Sequence, residues 1–153
     1  MTAKMDFYRG YELSKDQIEF MAQFNNFTET GDASYIMMLL QDPKKYIELV
    51  GFIYRYGKCV GYSVIAFFNK DARCDTYILP KYRRHGYASK LLIETIKTAF
   101  KNKDISKVNL VHNKVSSRYA FFMSLIPDKI PARWKTIIGA DEIGIYRRYL
   151  YFS

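Results

Sequence analysis

The 153-residue chain has only two cysteines and two histidines, and its 15 acidic residues are outnumbered by 24 lysines and arginines. Each scarcity excludes something. Cys59 and Cys74 have neither metal-ligand spacing nor the density of a disulfide scaffold, so they read as reduced, mostly buried thiols, even on neighbouring strands. His85 and His112 stand alone, without Cys or carboxylate at ligand spacing, and no metal site is expected. His85 lies in a basic loop where it suits donation to phosphate, and His112 ends a strand. No Ser-His-Asp or Cys-His arrangement stands out, which argues against a covalent intermediate. A run of 18 or more apolar residues is missing, and "MTAKMDFYRGYELSKDQ" lacks the apolar segment of a secretory signal. A cytoplasmic protein with no membrane partner is expected. Repeats, low-complexity tracts and Pro/Gly/Ser-rich linkers are also absent, so residues 1–153 are expected to form a single domain, able to bury about two-thirds of its unfolded surface.

What is present is charge and aromatic mass. A net charge of +9 draws anions to the surface: nucleic acid, a phosphorylated cofactor or an acidic partner protein. Lysine-rich surfaces also serve solubility, and charge alone does not choose. The aromatic residues, 17% of the chain, are spread over nearly every segment, which favours core and strand packing over a dedicated stacking platform.

Periodicity sets out the elements. Asp6 to Glu12 is a short aromatic strand, followed by Ser14 with Gln17 three residues on, a capping-box spacing that opens a helix through Asn25. Ser34 to Gln41 reads as a second helix ended by Asp42 and Pro43. A hairpin follows, with a strand from about Tyr46, a turn at Gly57 and Lys58, and a second strand to Phe68. "ARCDTYIL" alternates, with Arg73, Asp75 and Tyr77 on one face and Cys74, Thr76 and Ile78 on the other. A long helix, roughly Gly86 to Lys101, carries Ala88, Leu91, Leu92, Ile96, Ala99 and Phe100 on one face and an outward Lys90–Glu94 pair. The strand "KVNLVHN", the helix "VSSRYAFFMSL" and the strands "RWKTIIG" and "GIYRRYL" complete the order β-α-α-β-β-β-α-β-α-β-β, a mixed α/β domain on one central sheet.

The joint "PKYRRHGYASKLL", between the alternating strand "ARCDTYIL" and the long helix, is the strongest local signal. A helix start preceded by a tight small-residue loop presents unpaired N–H groups and the positive end of the helix dipole, which suits phosphate. Gly86 lets backbone approach a ligand, Ala88 keeps the next turn close, and Arg83 and Arg84 bring cations matched to phosphate oxygens. The stretch is no dinucleotide fingerprint, since only Gly86 is glycine, and no Walker loop, since no Gly-Lys-Ser/Thr follows. An ordinary basic strand-to-helix turn is the competing reading.

Arg83 to Ala88, "RRHGYA", resembles the Arg/Gln-x-x-Gly-x-Gly/Ala motif of the GNAT N-acetyltransferase family, and "YGKCVGYSVIAF" and "ILPKYRRHGYASKLL" resemble its second hairpin and its strand-to-helix joint. The likeness covers about Asp6 to Tyr149. It implies a GNAT-like acyl-CoA N-acyltransferase fold, an α/β (α+β) domain whose mixed, mostly antiparallel central sheet is flanked by helices. It also implies acetyl-CoA as cosubstrate, no metal, and direct acetyl transfer to a primary amine. By the resemblance Ile78 and Leu79 face pantetheine while Arg83, Arg84, His85, Gly86, Tyr87, Ala88 and Ser89 wrap the pyrophosphate, and Asn113 resembles the Asn that opens the family's last helical segment. A backbone amide near Ile78 would stabilise the oxyanion. Asp75 and Glu48 are the carboxylates to test as base, set against solvated outward-facing positions. Glu29 and Asp32 would shape the acceptor site. The family's thiolate-protonating Tyr is displaced here: Ala120 stands at its place, and Tyr119 is the nearest phenol, with water or Ser116 as substitutes. That departure keeps open a second reading, a weak or inactive CoA-binding or partner-binding module of the same fold. Expected partners are acetyl-CoA, an unspecified amine, RNA such as a charged tRNA or an acidic protein drawn by the positive charge, and a second copy of the chain as a homodimer. Polyamines are disfavoured by like charge, unless a local acidic pocket at Glu29 and Asp32 overrides the net charge.

Overall fold

The alternating segments become successive strands of one sheet. In a computed structural model, which describes residues 3–23, 33–68, 71–101, 107–113, 132–137 and 145–152, the elements run β1 (Lys4–Tyr8), α1 (Lys15–Gln23), α2 (Ala33–Gln41), α3 (Pro43–Tyr46), β2 (Ile47–Arg55), β3 (Lys58–Phe68), β4 (Asp71–Ile78), α4 (Tyr87–Phe100), β5 (Lys107–Asn113), β6 (Ala132–Ile137) and β7 (Ile145–Phe152). Single 3-10 turns lie at Gly10–Glu12 and Pro80–Tyr82. The sheet order is β1-β2-β3-β4-β5-β7-β6, antiparallel at every junction except β4–β5, which is parallel. This is the mixed, mostly antiparallel arrangement that the family resemblance implies, and among the described residues the element order agrees except for the added short helix α3. The expected helix 115–125 lies outside the described residues.

Two apolar layers hold the sheet. On one face Met21 and Leu39 from α1 and α2 pack with Val50, Phe52, Tyr62 and Val64. On the other, Leu91 of α4 packs with Ile53, Val60 and Ile78. Each such fully buried side chain contributes about 1.5–3 kcal/mol of transfer free energy. The α4 stripe is wider than its periodicity indicates, because Ser89, Ile93 and Thr95 are buried beside Leu91, Leu92, Ile96, Ala99 and Phe100.

Local signals translate into contacts. Ser14 N–H donates to Gln17 Oε1 at 2.9 Å and Gln17 N–H to Ser14 Oγ at 3.2 Å, the reciprocal box that satisfies two orphan donors at the start of α1. Three expectations need correction. The first strand ends at Tyr8 rather than Glu12, because Arg9 N–H donates to Glu12 Oε1 at 2.8 Å and winds the chain into a 3-10 turn. Asp42 and Pro43 do not merely end a helix: Asp42 Oδ1 accepts from Lys45 N–H, and Pro43, which needs no N–H partner at a helix start, opens α3. Glu94 pairs with Lys97 at 3.9 Å, three residues on, instead of with Lys90.

Candidate active site

The β4–β5 junction is short. Pairing is confined to Arg73↔Asn109 and Cys74↔Leu110, while β4 continues to Ile78 and β5 to Asn113. The two strands therefore part after Cys74, and the sheet opens a fork at its centre. On the β3 side β4 stays paired through Gly61↔Ile78, and Leu79 N–H donates to Val60 O at 2.9 Å. Donors alternate along an antiparallel ladder, so the N–H and C=O of Ile78 point the other way, into the fork. Gly61 makes that geometry possible: a Cβ there would meet the Ile78 side chain and lie 2.6 Å from Tyr77 O.

The loop leaving β4 closes the wide end of the fork. Arg83 turns back, its Nε donating to Ile78 O at 3.1 Å. Arg84 and Gly86 both take left-handed backbone, at φ 67° and 79°. At Gly86 this conformation, not crowding, requires glycine, since nothing lies within 4 Å of where a Cβ would stand. Gly86 is the N-cap of α4; no side chain caps it and the first turn carries no acid. The amides of Tyr87, Ala88 and Ser89 thus lack side-chain acceptors at the positive end of a 14-residue helix. An open, cationic, amide-lined cradle of this kind fits a diphosphate.

The loop residues divide by orientation. Arg84, His85 and Gly86 are exposed, whereas Arg83, Tyr87 and Ala88 are half-buried and Ser89 is buried. Tyr87 and Ala88 pack on the Ile53–Val60–Ile78–Leu91 cluster, so their amides, rather than their side chains, face the cradle. The rings of His85 and Tyr87 lie 5.9 Å apart. The side chain of Ile78 is buried against α4, and Leu79 packs on the opposite layer, so only their main chain faces the fork.

Asp75 is the first residue of β4 beyond the last β4–β5 pair, at the apex of the fork. It is half-buried, on the same face as Tyr77; burial first, and then the nearby Asp75 charge, push the Tyr62 phenol well above the usual tyrosine range. Tyr62 stacks on Tyr77 at 5.2 Å between centroids. Three residues of strand separate Asp75 from Ile78, about 10 Å. Glu48 stands elsewhere. Its carboxylate accepts from Arg9 Nη1 at 2.6 Å, and through the register Ile47↔Ala66↔Arg73 it lies two strands over and five residues along from Ile78, roughly 19 Å away. The structure thus does not bring Glu48 to the fork. Asn113 ends β5 opposite Ile145, and its side chain, with Tyr119, Ser116, Glu29 and Asp32, lies outside the described residues. Two elements escaped the sequence reading, the Arg83–Ile78 tie and the Tyr62–Asp75 neighbourhood; the alternation of "GYSV" carries a weak signal for Tyr62 only. Among the described residues no group of three or more His, Cys, Asp or Glu could hold a metal, and no helix is long and apolar enough to cross a membrane.

Comparison with known proteins gives this geometry a context. PaiA N-acetyltransferase from Thermoplasma acidophilum, in complex with coenzyme A, is similar at TM-score 0.63 and 13% identity, over 97% of this chain and 99% of that one. An acyl-CoA N-acyltransferase from Pseudomonas aeruginosa matches at TM-score 0.70 and 9% identity over 97% and 99%. An acetyltransferase from Bacillus subtilis, in complex with CoA, matches at 0.66 and 9% over 99% and 100%. At such identities the likeness is one of fold. No curated protein matches by sequence. The model of the acetyltransferase (GNAT) family matches residues 5–122, most of the chain, and the fork and uncapped helix fall within them. The chain belongs to the GNAT acetyltransferase family.

Proposed function

We propose that the protein is an acetyl-CoA-dependent N-acetyltransferase that moves the acetyl group directly to a primary amine. The observation that carries this reading is the alignment of two features: a fork at the centre of the sheet whose wide end meets the uncapped amides of α4. The coenzyme A seen with the Thermoplasma and Bacillus relatives supports the choice of ligand.

The residues divide the work. The amides of Tyr87, Ala88 and Ser89, with Arg84 and His85, would hold the diphosphate, and Gly86 leaves it room. Main-chain groups of Ile78 and Leu79 would orient the pantetheine arm along the open edge of β4. When bound, acetyl-CoA supplies a thioester whose acyl carbon accepts the amine nitrogen as its carbon–sulfur bond breaks. The Ile78 N–H, aimed into the fork, would stabilise charge developing on the acyl oxygen. Asp75, just past the last β4–β5 pair, is the carboxylate proposed to take the amine proton. Glu48, tied to Arg9, is a structural residue in this reading. Tyr119 remains the phenol proposed to return a proton to the thiolate, and Asn113 is proposed to flank the cofactor from β5.

Isothermal titration with acetyl-CoA, followed by thiol-release assays over amine and peptide panels, tests the proposal. Micromolar binding with CoA release is expected. Absence of binding would end the cofactor assignment, and binding without release on any acceptor would favour a CoA-binding module instead.

A further inference from the structure

The tip of the β2–β3 hairpin has no role in the proposed chemistry, yet its construction calls for one. Arg55↔Lys58 closes a two-residue turn in which Tyr56 and Gly57 both have positive φ, 52° and 78°. Such turns favour Asn-Gly, because a bulky residue in left-handed backbone is strained. Tyr56 accepts that strain and buries little, with 74% of its surface exposed. An unfavourable conformation that does nothing for the core points to use outside it.

The surroundings specify that use. Arg55 lies over the Tyr56 ring at 5.1 Å, and Tyr82 is flanked by Lys58 at 5.9 Å and Lys81 at 5.8 Å. Residues 53–60 and 78–93 hold Arg55, Lys58, Lys81, Arg83, Arg84 and Lys90 and not one Asp or Glu. Among the described residues none of these six forms an ion pair with a carboxylate. Lys58 reaches Tyr82, so the hairpin tip is contiguous with the Pro80–Tyr82 turn, but Arg55 and Lys58 belong to the β2–β3 hairpin on the β3 side of β4, while the fork opens on the β5 side.

We propose that the hairpin tip and the Pro80–Tyr82 turn form a binding surface for a single polynucleotide strand: phosphates on Arg55, Lys58 and Lys81, an unpaired base stacked on Tyr56. An exposed ring at Tyr56 and a half-buried one at Tyr82, interleaved with cations, favour this over an acidic peptide, whose carboxylates cannot use the rings. RNA and DNA strands share the chemistry and are separated by test. The inference does not depend on acetyl transfer.

The experiment is fluorescence anisotropy of the full chain with labelled U10 and dT10 across a salt series, with polyglutamate as competitor. Micromolar binding is expected, its logarithm falling with log salt at a slope of about −2 for three neutralised phosphates at about 0.7 each. Tyr56→Asn suits the turn and should keep or raise the melting temperature, yet weaken oligonucleotide binding about tenfold. Arg55→Ala with Lys58→Ala should flatten the salt slope by about 1.4. Stronger U10 than dT10 binding identifies RNA, and the reverse identifies DNA. Unchanged affinity in Tyr56→Asn, equal displacement by polyglutamate, or a parallel loss of acetyl-CoA affinity in Tyr56→Asn would each overturn the proposal.

Discussion

Arg83 donates from Nε to the carbonyl oxygen of Ile78 at 3.1 Å, tying the anion loop to the edge of β4 that faces the fork. One guanidinium thus spans the two halves of the proposed cofactor site. A charge-assisted bond of this sort is worth about 1.5 kcal/mol when half-buried. Arg83→Ala should weaken acetyl-CoA binding about tenfold by calorimetry, and Arg83→Lys should recover little of it, because a point charge cannot serve both partners. Full recovery by lysine would show that charge alone matters.

Gly86 is required for its dihedral angle, not for space. Gly86→Val should lower stability by about 1–2 kcal/mol and cofactor affinity with it, whereas Gly86→Asn, which tolerates left-handed backbone, should lose about half as much. Equal melting temperatures for the two variants would contradict the conformational argument.

Asp75 and Glu48 are both strand carboxylates, but only the first lies at the fork. Asp75→Asn should lower kcat more than tenfold and remove the acidic limb of the pH–rate profile. Glu48→Gln breaks the Arg9 pair, so a lower melting temperature with a much smaller change in kcat is expected. The reverse ranking would transfer the base role to Glu48.

Burial raises the Cys59 thiol to about 11 from an ordinary 9.0, and burial first, then the nearby Cys59 and Asp6, raise the Tyr54 phenol to about 12 from 10.0. Both groups favour folding in their protonated forms. Their contribution is complete below pH 9 and is lost as pH rises through 9 to 11 for Cys59 and 10 to 12 for Tyr54. The urea midpoint should be level from about pH 7 to 8.5 and fall beyond pH 9, with a shallower fall in Cys59→Ala. Parallel curves for the two proteins would rule out the thiol.

Thr95 is fully buried in α4, and among the described residues its hydroxyl finds no hydrogen-bond partner. Valine has the same shape without the polar atom. Thr95→Val should raise stability by about 1 kcal/mol, or about 2–4 °C in melting temperature. A loss of stability would mean that the hydroxyl is satisfied.

The sequence by itself determined what is local. Apolar runs on either side of the Gly57–Lys58 turn and the alternation of "ARCDTYIL" specified the strands, the Ser14–Gln17 spacing specified a reciprocal cap, and Arg83 to Ala88 marked the joint between β4 and α4, because each depends on neighbours within a few residues. What it left open was choice among partners. Glu94 took Lys97 over Lys90, Glu48 went to Arg9 some forty residues away, and Arg83 found the Ile78 carbonyl. Tertiary structure alone decided the fork, and with it that Asp75 stands at the apex: the register of two strands joined through a helix is set by how α4 packs across the sheet, a long-range balance that no short stretch of residues encodes.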